Sequence, residues 1–181
     1  MKKTILSLAV SALFMTGMVH AETNPNDVSA TLSVTGTVVE DIADACTVVT
    51  NKQAVALSGD VTDLINQGQD STSVETVQLS IVGENCASKV EAGTMAYKFT
   101  GTADNADGTV LANSDASSTA AKGVGVGIFT GANKPVKVNS ADHVIASASG
   151  TIIGLQMVKL NGQNAEAGNV TSSVTIEIER L

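Results

Sequence analysis

Tryptophan is absent from this 181-residue sequence, tyrosine occurs once and phenylalanine three times. An active site with so few aromatic walls would be unusual, and the interior has to be assembled largely from small and β-branched residues. Histidine is equally scarce, with only His20 and His143. A serine, threonine or cysteine nucleophile needs a base beside it, and no GxSxG elbow is present. A metal centre needs several ligands, so the lone His143 in "SADHVIAS" reads as a surface or internally satisfied residue. Positive charge is short too: ten Lys and Arg stand against eighteen Asp and Glu, for a net charge of −8. Such a chain repels phosphate backbones, which argues against nucleic acid as a partner. No cofactor is expected, and a carboxylate pair in a pocket stays open as the enzymatic alternative.

What is there begins at the N-terminus. Lys2 and Lys3 lead into the mostly apolar "TILSLAVSALFMTGMV", and "VHA" places small residues at the minus-three and minus-one positions of a cut after Ala21. This is the pattern of a secretory signal peptide over residues 1–21. The apolar run is short for a membrane span, and "ETNPND" follows it without a basic flank. Removal of that segment leaves 160 residues, one domain's worth of core, and moves the net charge to −10. Cys46 and Cys86 both lie in the exported part. In an oxidising compartment they read as one disulfide, which on the chain-entropy view contributes roughly 4 kcal/mol.

The exported part is rich in Val, Thr, Ser, Ala and Gly, a composition that favours strands over long helices. "VSATLSVTGTVV" alternates Val28, Ala30, Leu32 and Val34 with Ser and Thr, a period-two strand signal. Further strands are expected over 53–57, 74–83, 94–102, 123–129, 135–138 and 151–160, and in the terminal "SSVTIEIERL". The polar "TDLINQGQDSTS" has room for a helical turn. Short strands punctuated by Gly, Asn and Asp point to an antiparallel β-sandwich.

Three motifs have plainer readings than their first appearance. "GVGVGIF" lacks dinucleotide-binding spacing, because Thr130 stands three residues after Gly127. Its alternating glycines mark places where a strand packs close against another backbone. In "TADNADGTVLANSD" the calcium-loop register fails at Ala106 and Gly108, which leaves a polar turn with "DG" supplying positive φ. Asn169-Val170-Thr171 matches a glycosylation sequon at the start of the terminal strand and reads as coincidence.

Taken in order, the signal peptide, the alternating segment, "TGTVVEDIADACTVV", the second cysteine after "VQLSIVGENC", "YKFTGTADNADGTVLAN" leading into "AAKGVGVGIF", and the ending "AGNVTSSVTIEI" resemble a pilus subunit of the chaperone–usher pathway, of the type 1 fimbrial-protein-like kind. The resemblance implies an all-β fold: an incomplete immunoglobulin-like antiparallel sandwich that lacks its last strand and is completed in trans by a donor strand. It implies three segments, a signal peptide (1–21), an N-terminal donor extension (22–35) and a pilin domain (36–181). Implied partners are other pilus subunits, a periplasmic chaperone and an outer-membrane usher, with export through the periplasm to a surface fimbria.

Strand addition of this kind uses backbone hydrogen bonds for affinity and pockets for alternate side chains for specificity. On the donor side it would use Val28, Ala30, Leu32 and Val34, with Ser29, Thr31 and Ser33 facing out. The acceptor strand would turn Val174, Ile176 and Ile178 inward and Thr175, Glu177 and Glu179 outward. One departure stands out: relatives carry a penultimate Tyr that helps seat the C-terminus on the chaperone, and here Arg180 precedes Leu181. The function expected is a structural subunit of an adhesive fimbria. The alternatives are a minor or tip-adaptor subunit with its own ligand, for which Tyr97 is the only exposed-ring candidate, and a secreted β-sandwich enzyme.

Overall fold

A computed structural model of the chain describes residues 29–34 and 45–181. The expected signal peptide and Val28 lie outside the described residues. Twelve strands are found among them: β1 (Ser29–Val34), β2 (Thr47–Thr50), β3 (Ala54–Ser58), β4 (Ile65–Asn66), β5 (Glu75–Val82), β6 (Met95–Gly101), β7 (Leu111–Ala112), β8 (Val124–Thr130), β9 (Pro135–Val136), β10 (Val144–Ile145), β11 (Thr151–Lys159) and β12 (Val170–Arg180). One sheet runs β10-β6-β12-β1-β3. The other runs β2-β5-β11-β8-β7, with β4 beside β11 and β9 beside β8. Pairing is antiparallel apart from β1 with β12 and β4 with β11, which are parallel. The molecule is the β-sandwich that its composition called for.

Period-two alternation decides which side chains meet between the sheets. Val77 and Leu79 of β5, Tyr97 and Phe99 of β6, Val126 and Ile128 of β8, Leu155 and Met157 of β11, and Val174 and Ile176 of β12 form the main core. At the expected 74–83, 94–102, 123–129 and 151–160 the strands are in place. The expected 135–138 shortens to the two residues of β9, while β7 and β10, also two residues each, come from stretches with no strand signal. The 53–57 and terminal strands are present as β3 and β12. The polar "TDLINQGQDSTS" begins within a single 3-10 turn, Val61–Asp63, and then gives β4. One short α-helix, α1 (Cys86–Glu91), was not expected; it buries Cys86 and Val90.

Strand β8 is buried on both faces, which explains its glycines. Val124, Val126 and Ile128 face the main core, while Phe129 joins Val110, Val158 and Leu160 in a second cluster. A Cβ at Gly125 would stand 2.8 Å from the Leu111 carbonyl oxygen and 3.0 Å from Val110. At Gly127 it would stand 2.9 Å from the Phe129 ring. The close backbone approach read from the alternation is therefore met at Gly125, and a ring takes the space at Gly127.

The "TADNADG" turn is built around a buried carboxylate. Asp104 Oδ1 accepts from the Ala106 and Asp107 amides, and Oδ2 accepts from the Val110 amide and from Gln67 Nε2 at 2.9 Å. Gly108 supplies the positive φ of the turn, at 68°. Burial pushes the Asp104 carboxyl up, but the backbone N–H groups of Val110, Ala106, Gly108 and Thr109 together outweigh it and hold it below the ordinary carboxylate range. The sign of the linkage follows: the stabilisation is present above the unfolded value of about 3.9 and is lost as pH falls through the folded one.

Two substitutions check this account. Asp104→Asn, which puts a donor where Oδ2 accepts, should cost about 1–3 kcal/mol near neutral pH. The gap to wild type should narrow below about pH 4 in urea unfolding. Gly125→Ala should cost about 1–3 kcal/mol through overpacking, whereas Gly131→Ala, whose Cβ would meet only the Ile152 carbonyl oxygen at 3.5 Å, should change stability little.

Candidate functional site

The terminal strand β12 is paired on one side with β6, from Val174 opposite Gly101 to Arg180 opposite Met95. Even Leu181 donates its amide to the Thr94 carbonyl oxygen, 2.9 Å away. Along β12 the inward positions Val170, Ser172, Val174 and Ile176 are buried and Ile178 half-buried, while Thr171, Ser173, Thr175 and Glu177 are exposed. Ser172 is the polar member of the buried row, and its hydroxyl donates to the Ala112 carbonyl oxygen of β7 at 2.6 Å. The donor is thus satisfied without water.

On its other side β12 does not meet β3. The two strands stand one strand apart, and the gap between them holds β1. Val55 and Leu57 of β3, 4% and 5% exposed, form the second wall. Backbone register sets Ala30 between Leu57 and Val170, Leu32 between Val55 and Ser172, and Val34 opposite Val174. Thr31 and Ser33 fall opposite the exposed Ala56 and Ala54, and opposite Thr171 and Ser173. The donor residues named from the sequence and the inward row of β12 therefore come together in register at Ala30, Leu32 and Val34. Val28 lies outside the described residues.

Sequence reasoning missed the β3 wall. The alternation of "AVALS" marked a strand, but nothing in it says that Val55 and Leu57 border the same gap as Val174. It also left His143 without a role. His143 Nδ1 lies 3.3 Å from Glu179 Oε2, each side chain about one-third exposed. Ala96, fully buried, lies opposite Glu179 in register between β10 and β12. Glu179 is accordingly half-buried rather than fully solvated. Arg180 is exposed at the strand's end.

Other chemistry finds less to work with. Among the described residues no three His, Cys, Asp or Glu are grouped to hold a metal. A surface recess of about 410 Å³ is lined by Asp104, Asn105, Asn113, Lys122 and Gln163 among others. Several of its polar groups already have partners: Gln163 donates to Asn105, Lys122 pairs with Glu166 outside the recess, and Asn113 donates to the Ala121 and Asn169 carbonyl oxygens.

The disulfide links Cys46, just before β2, to Cys86 at the start of α1, with Cα atoms 5.9 Å apart. It ties an edge strand to the body of the fold next to the N-terminal segment. A family model for fimbrial proteins matches residues 32–179, from within β1 to the end of β12. The chain belongs to the fimbrial-protein family. No curated protein matches the chain. As a fimbrial subunit it belongs to a family of structural, non-enzymatic proteins that assemble with other pilus subunits into a surface fimbria. In this fimbrial protein the disulfide is a structural staple. Cys46→Ser should lower stability by about 2–5 kcal/mol. Quantitative blotting of periplasmic extracts should find the subunit depleted, and unchanged levels would count against the staple.

Proposed function

We propose that this fimbrial protein is a structural building block of an adhesive surface fimbria, polymerised by donor-strand exchange. Residues 1–21 direct export and are removed. Residues 22–35 of one subunit insert between β3 and β12 of the next, and residues 36–181 form the pilin domain that receives the neighbouring strand. A periplasmic chaperone lends a strand first, and an outer-membrane usher exchanges it for a subunit's extension.

The observation that carries this reading is the one-strand gap between β3 and β12. With β1 lifted out, both edges would offer backbone N–H and C=O groups to whatever strand enters, and such edges are costly to leave bare. The apolar parity of Val55, Leu57, Val170, Val174 and Ile176 suits an entering strand that is apolar at every second residue, as 28–34 is. Burying three such side chains stabilises by roughly 1.5–3 kcal/mol each before ordering costs. Adhesion follows from the fibre as a whole and asks for no receptor pocket in this subunit.

The test is to produce residues 36–181 in the periplasm alone, together with the matching chaperone, and with residues 22–35 fused after Leu181. The bare domain should aggregate or be proteolysed, and the other two should be soluble and resist denaturant. A bare domain that folds as a stable monomer removes the reading.

A further inference from the structure

Given the donor-strand reading above, we propose that the free subunit caps its own groove, and that a neighbour's segment must displace this cap before the fibre grows. Strand β1 belongs to the same chain as the groove it fills. Five of its residues pair with β3, Ser29 with Ser58 through Ser33 with Ala54, and five pair with β12, Ala30 with Val170 through Val34 with Val174. Both bare edges are thereby satisfied within one molecule.

The connection makes such a cap hard to outcompete and also limits it. Residues 35–45 join Val34 to Cys46, which is fixed to Cys86. A short tether of this kind presents the segment to its own groove at an effective concentration on the order of millimolar. Free neighbours at micromolar concentration are at a disadvantage of roughly a hundredfold or more. Among the described residues the β1 pairing with β12 ends at Val174, although β12 continues to Arg180. A neighbour's segment has no such connection to Cys46 and is free to take a register reaching Ile176 and Ile178. Self-capping keeps subunits apart, and the longer pairing in trans favours the fibre once the cap is lifted.

The register offers a specific trap. Thr31 and Ala56 are antiparallel partners, so their Cα atoms stand at a separation that a disulfide accepts. In the mature chain (22–181) carrying Thr31→Cys and Ala56→Cys, refolded dilute under mild oxidation, we expect an intramolecular link seen as a single-chain band on non-reducing gels and a mass loss of two hydrogens. The locked chain should not take up a labelled peptide of residues 22–35, and reduction should restore slow uptake. Leu32→Asp in the mature chain, refolded with the same peptide present, should bind it at least about tenfold faster than the unsubstituted chain, because the cap is weakened while the walls are intact.

The two readings fail separately. Free thiols in a folded monomer, with peptide uptake as fast as in Leu32→Asp, overturn self-capping and leave donor exchange standing. A link that forms in a chain which takes up no peptide after reduction, with Leu32→Asp equally inert, makes β1 a permanent strand and overturns both.

Discussion

Two sheet edges that face one another across a single strand's width govern this molecule. Strands β3 and β12 cannot reach each other, and each presents a row of backbone donors and acceptors that need partners. Everything placed nearby serves that gap. The inward row of β12 is apolar except for Ser172, which is satisfied by the Ala112 carbonyl. The outward row is Thr, Ser and Glu, which keeps the wall soluble. The far edge of β12 is anchored on β6 to its last residues, which fixes the strand independently of whatever lies along its other edge.

With few aromatic rings available, the interior relies on closeness. Gly125 lets β7 and Val110 approach β8, Gly127 leaves room for the Phe129 ring of the same strand, and the molecule gains a second small core in addition to the one between the sheets. Tyr97 and Phe99 go to the main core on β6, the strand beside β12 in the same sheet, and Phe129 goes to the second. Burial pushes the Tyr97 phenol up, consistent with a ring used for packing rather than for a ligand outside. The Tyr and Phe rings among the described residues are all spent on packing.

How much of this could be read from the sequence depended on period. Long alternating stretches such as "ETVQLSIV" and "VTIEI" declared themselves as strands with a correct inner face. Two-residue strands such as Leu111–Ala112 and Val144–Ile145 did not, because so short a piece is a strand only by virtue of the neighbour it meets. The helix over Cys86–Glu91 is too short to show a helical repeat. At the site, parity named Ala30, Leu32 and Val34 and the β12 row, since alternation alone fixes which positions share a face. It could not name Val55 and Leu57 as the opposite wall, which is a matter of topology. Nor could it say whose groove the segment enters, because a strand of this chain and the same strand of a neighbour are chemically identical.

If subunits join through their N-terminal segments as proposed, the covalent link between Cys46 and Cys86 acquires a mechanical meaning. Tension applied to residues before Cys46 meets the body of the subunit first at that sulfur bridge. From there it would pass into α1 and the end of β5, the strand next to the edge, instead of peeling the four-residue edge strand β2 away from β5 one hydrogen bond at a time. The load would then shear across whole strands, and in such a fibre the staple would spare the edge strand a pull that it alone would not withstand.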